Sequence, residues 1–62
     1  MRYKIRIGVL GMVLMDVGAS SMRVGEMRGS EFEVSMHFRK RYDEDIEFKE
    51  AVDFAVRSEL LK

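Results

Sequence analysis

At Tyr42 the spacing of apolar residues changes period, and this constrains the fold more than any other feature of the chain. Phe32, Val34, Met36 and Phe38 alternate with Glu33, Ser35, His37 and Arg39, the pattern of a half-buried strand. From Asp43 onward the apolar stripe becomes Phe48, Ala51, Val52 and Ala55, with Glu50, Asp53 and Arg57 opposite it. That is the pattern of an amphipathic helix. The expected class is therefore α+β, a three-stranded antiparallel sheet backed by one C-terminal helix.

A chain of 62 residues has room for one domain, 1–62, and one thin core. By surface scaling, burial of apolar area contributes about 90 kcal/mol at ~25 cal/mol per Å². Ordering the chain costs about the same at ~1.5 kcal/mol per residue. With no cysteine there is no disulfide to widen that margin. Oligomerisation is the remaining common remedy, so a homodimer is expected.

Tyr3, Ile5, Ile7, Val9, Val13, Met15 and Val17 fall on one face of a first extended segment, about 2–17. A straight strand of about fifteen residues would run ~50 Å. A domain of this size has a radius of gyration near ~11 Å. The segment must kink near 8–11, at Gly8 or Gly11, and a true corner there would make four strands. The stretch 16–21 reads as a hairpin loop, 22–28 as a weaker strand with a bulge near Gly25, and 31–41 as the clearest strand. Asp43 is the expected cap of a helix spanning about 44–61. Ile5, Ile7, Val34, Met36, Phe38, Phe48, Val52 and Ala55 are the expected core. Arg2, Lys4 and Arg6 before an apolar run imitate a secretory signal, but Gly8 and Gly11 interrupt that run. It is also far too short to span a bilayer. No membrane partner is expected, and the expected location is cytoplasmic.

No constellation specifies a reaction. There is one histidine, no cysteine, and Ser20, Ser21 and Ser30 fall in turns. Glu31, Glu33 and His37 share a strand face but have no known ligand spacing, and Asp43, Glu44, Asp45 and Glu47 lack the glycine and closing glutamate of a calcium loop. Phosphate-cradling glycine loops are missing. The expectation is a protein that is not an enzyme and needs no metal or cofactor.

Net charge is zero, with 11 Lys and Arg against 11 Asp and Glu. The cations are nevertheless grouped: Arg2, Lys4 and Arg6 on one face of the first strand, and Arg39, Lys40 and Arg41 at the end of the last. In a meander these groups lie at opposite ends of the sheet, so a continuous basic surface would require a dimer. Three strands and a helix are also the layout of the plant AP2 and phage integrase arm DNA-binding domains, an analogy of topology alone. Leu10, Met12 and Leu14 alternate on the face the helix leaves open, and Met27 lies on the next strand, so these four are the expected partner or dimer interface. The leading functional expectation is a small protein-binding module that occupies a partner's surface, like the lean inhibitors and regulators of phages and mobile elements. The competing one is a dimeric nucleic-acid-binding regulator that uses the basic strand ends.

Overall fold

Gly8 and Gly11 do form a corner, and the sheet has four strands. The computed structural model describes residues 3–62, which fold into β1 (Lys4–Ile7), β2 (Met12–Val17), β3 (Ser20–Arg28), β4 (Glu31–Val34), α1 (Arg39–Glu44) and α2 (Ile46–Leu60). Arg2, read above as part of the first strand, lies outside the described residues. A 3₁₀ turn over Val9–Gly11 separates β1 from β2, and the Gly8 amide donates to the Met12 carbonyl at 2.7 Å. Gly11 has φ +76°, and a Cβ there would sit 2.8 Å from the Met27 carbonyl oxygen, so only glycine suits the site. The radius of gyration is 10.7 Å, which no unbroken strand over 2–17 would allow.

The sheet is an antiparallel meander in the order β1-β2-β3-β4, with α2 laid over one face. Register pairs Ile5 with Met15 and Ile7 with Val13, which puts all four on the helix side. Between β2 and β3 the register slips by one residue after Val13, so Val24 and Gly25 are both buried. This bulge is tight, because a Cβ at Gly25 would collide with the Glu33 carbonyl oxygen.

The bulge also ends β4 early. Pairing stops at Gly25 with Val34, and the Ser35 amide turns back to the Val24 carbonyl at 2.7 Å. The chain then makes a 3₁₀ turn over Met36–Phe38 and enters α1. Residues 35–41 are therefore not strand, contrary to the alternation read from sequence. Met36, expected in the core, is 88% exposed, while Phe38 reaches the core from the turn. Ile5, Ile7 and Val34 are half-buried against the core, and Ala55 is half-buried on α2. Val13, Met15, Val24, Ala51 and Val56 join Phe38, Phe48 and Val52 in the buried set.

Asp45, not Asp43, caps α2. Its carboxylate accepts from the Glu47 and Phe48 amides at 3.1 and 3.2 Å, and the helix is separated from α1 by the extended backbone of Asp45 itself. The same carboxylate accepts the Tyr3 hydroxyl at 2.7 Å, which ties the start of β1 to the start of the helix. Phe48 is fully buried, edge-on to Tyr3 and stacked on Phe38 with centroids 5.2 and 5.8 Å away. A second tie joins α1 to α2. The Tyr42 hydroxyl and the Lys49 ammonium both donate to Asp53, the latter at 2.6 Å. No helix among the described residues is long and apolar enough to cross a membrane.

Phe38→Ala is expected to cost about 3–5 kcal/mol, a large share of a small domain's stability, whereas Met36→Ala should leave the thermal midpoint nearly unchanged. Equal losses from the two would mean that residues 35–38 continue the strand.

The Tyr42–Asp53–Lys49 cluster shapes the pH dependence of stability. Partial burial pushes the Asp53 carboxyl up, but hydrogen bonds from Lys49 and Tyr42 outweigh it and hold it below the ordinary 3.8. Its contribution is complete above that value and is lost as pH falls through the lower folded value. Burial, then the bond to Asp53, raises the Tyr42 hydroxyl above 10.0, and Asp53 raises Lys49 above 10.5. Their contributions are complete below those values and fade as pH climbs through the raised ones. Thermal midpoints measured against pH should fall on both limbs in the wild type. In Asp53→Asn the alkaline limb should be shallower, and an unchanged limb would remove this cluster from the account.

Candidate functional site

The fold sorts the basic residues into paired and unpaired. Among the described residues Arg6 pairs with Asp16 at 2.8 Å, Arg28 with Glu26 at 2.9 Å and Glu33 at 3.8 Å, and Arg39 with Asp43 at 3.2 Å. Lys49 pairs with Asp53, and Lys62 with Glu59 at 3.4 Å. The Arg6 hydrogen bond, with a second from Ser21, holds the Asp16 carboxyl below its ordinary value. Such exposed pairs add little to stability, but they neutralise the surface locally. Lys4, Arg23, Lys40, Arg41 and Arg57 make no ion pair among the described residues.

Four of those five converge on one end of the molecule. Arg41 lines three adjoining clefts, of about 680, 580 and 420 Å³. It shares the first with Lys4 and the β2–β3 hairpin, the second with Arg23, Met22 and His37, and the third with His37, Lys40 and Glu44. Its guanidinium lies 5.9 Å from the centroid of Phe48, so the most buried ring of the core positions the most central cation of the site.

This geometry corrects the sequence reading in two ways. Arg39, Lys40 and Arg41 lie on α1 and not at a strand end, so successive side chains point about 100° apart around a helix. That splits the run: Arg39 turns to Asp43 and the Tyr42 ring, whereas Lys40 and Arg41 open onto the clefts. The basic groups are also not confined to opposite ends of the sheet, since Lys4 and Arg41 line one cleft within one chain. Arg6, by contrast, is occupied by Asp16. Sequence reasoning missed Arg23, which lies in the strand whose alternation the bulge disturbs.

The expected apolar interface is not one surface. Met12 and Leu14 lie half-buried on the open face of the sheet, where Leu14 has Arg6 and Arg23 opposite it in register and Met12 has Glu26. Met27 packs against the core on the other face. Leu10 stands on the corner, 93% exposed and at φ 59°. A leucine pays conformational strain in that left-handed region, and nothing in the fold explains its being there.

Among the described residues no group of His, Asp and Glu could hold a metal ion. The chain matches no protein-family model, and no curated protein or solved structure is similar to it.

Proposed function

We propose that this chain is a non-enzymatic binding module that occupies an acidic protein surface through the clefts around Arg41, in the manner of a small inhibitor or regulator. The observation that carries this reading is the sorting of charge. Five cations are neutralised by neighbours, while Arg23, Lys40 and Arg41, which line adjoining clefts, make no ion pair among the described residues although the chain as a whole is neutral. Charges left uncompensated on a folded surface steer and select an oppositely charged partner.

Apolar side chains beside those cations favour a protein over a nucleic acid. Met22 lines the cleft with Arg23 and Arg41, and the exposed Met36 adjoins His37 in the chain. Methionine makes adaptable apolar contacts that a phosphate backbone has no use for. Glu44 and Asp45 line the third cleft, so an acidic partner is drawn to the first two. Nucleic-acid binding is the second reading, since the same grouping of cations would also attract phosphate.

Affinity purification from the source cell, using the wild type, Arg23→Glu, Arg41→Glu and the charge-matched Lys62→Glu, tests the assignment. One protein should be retained by the wild type and Lys62→Glu and lost from both arginine variants. Retention by all four baits would move the site elsewhere. Tight binding to DNA or RNA that falls steeply with salt and needs Arg23 and Arg41 would establish the second reading instead.

A further inference from the structure

The two edges of the sheet carry opposite charge on the same face. β1 reads Lys4-Ile5-Arg6-Ile7 and β4 reads Glu31-Phe32-Glu33-Val34, four residues each. On β1 the cations are exposed on the face away from α2, and the isoleucines pack toward the core. On β4 the glutamates are exposed in the same way, and Phe32 and Val34 pack toward the core. No described element pairs with the outer side of either strand. Each edge therefore presents a row of unpaired amides and carbonyls.

We propose that copies of this chain associate head to tail, β1 of one molecule pairing with β4 of the next to continue a single sheet. The topology makes that junction antiparallel. A meander with an even number of strands runs its first and last strands in opposite directions, so a neighbour placed alongside with its helix on the same side presents β1 antiparallel to β4. Residues directly opposite each other across a pair must share a face. The junction then sets Lys4 against Glu33, Ile5 against Phe32 and Arg6 against Glu31 of the next copy. Two oppositely charged rows meet on the open face, and an apolar pair meets on the helix face.

The alternatives within the same edges are repulsive. Pairing β1 with β1 would oppose Lys4 and Arg6 to one another, and pairing β4 with β4 would oppose the glutamates. Like charges directly opposite on adjacent strands are destabilising. A two-fold dimer through either edge is thus disfavoured, and the attractive contact is heterologous, leading to a ring or an open helical array. Two further features favour it. Lys4 and Glu31 have no ion pair among the described residues, and the junction brings them to Glu33 and Arg6, which also pair with Arg28 and Asp16 of their own chain. Phe54 of α2, 60% exposed, lines a cleft with Ile5 and Ile7 beside the β1 edge, where an added strand would cover it. The contact uses the sheet edges and not Arg23 or Arg41, so its failure would leave the proposed function standing.

Charge exchange tests the junction. Lys4→Glu sets a carboxylate opposite Glu33 and leaves Arg6 as the one cation of β1, and Glu33→Lys weakens the acidic edge without touching β1. Both residues are exposed, and a thermal melt confirms that each variant folds. Sedimentation velocity of the full chain up to about 0.5 mM should show concentration-dependent association of the wild type that weakens at high salt. Either variant alone should associate about tenfold more weakly. An equimolar mixture should regain most of the wild-type association, because the carboxylate introduced on β1 of one variant then meets the ammonium introduced on β4 of the other. A wild type that stays monomeric throughout would overturn the proposal, as would a mixture no heavier than its separate components. A dimer that both substitutions leave intact would overturn it too.

Discussion

The ring of Phe48 is the contact on which the rest of this small structure depends. A single helix of 15 residues must cover a four-stranded sheet, and Phe48 is where it does so most completely. Its ring meets Tyr3 from the start of β1, Phe38 from the turn after β4 and the guanidinium of Arg41 from α1. Three residues earlier, Asp45 caps the helix and accepts the Tyr3 hydroxyl. Segments that are distant in sequence are thus gathered at one end of α2. Aromatic side chains suit this role because one ring buries a large area and accepts edge, face and cation contacts together.

The bulge in β3 is the second constraint, and it acts by subtraction. By inserting Val24 into the ladder, it fills the core with one more apolar side chain and leaves β4 only four paired residues. Everything after Val34 must then leave the sheet, so Phe38 reaches the core from a turn and the basic run 39–41 becomes helical. The clefts around Arg41 exist because β4 is short. Had the strand continued to residue 41, Lys40 and Arg41 would have extended a solvated strand end, far from Lys4 and Arg23.

This explains which parts were legible in the sequence. Strands and helix were readable where one period persisted, as in Ile5–Ile7 and Phe48–Val52, and the corner at Gly8–Gly11 followed from the length of the apolar segment against the size of the domain. Residues 35–38 misled because their alternation is also compatible with a single 3₁₀ turn, in which Phe38 turns inward and Met36 outward. Asp43 and Asp45 are equivalent as cap candidates by residue type, and only the presence of α1 selects Asp45. The candidate site was the least legible part. It is defined by which cations make no ion pair among the described residues, and Arg23 gains its place through the register that a buried bulge sets between strands.

Exposed ion pairs contribute little to stability, and their effect here is to distribute charge. Pairs such as Arg6 with Asp16 and Arg28 with Glu26 neutralise part of the open face of the sheet, and Arg39 with Asp43 and Lys49 with Asp53 do the same on the helices, which leaves a basic end with methionines beside it. The most direct test of that account is a map of amide chemical shifts on the labelled chain during titration with a polyglutamate peptide. The account predicts the largest shifts at Arg23, His37, Lys40 and Arg41, with the far part of the open face, around Met12 and Glu26, unmoved. Shifts centred on that face, or none at low salt, would contradict it.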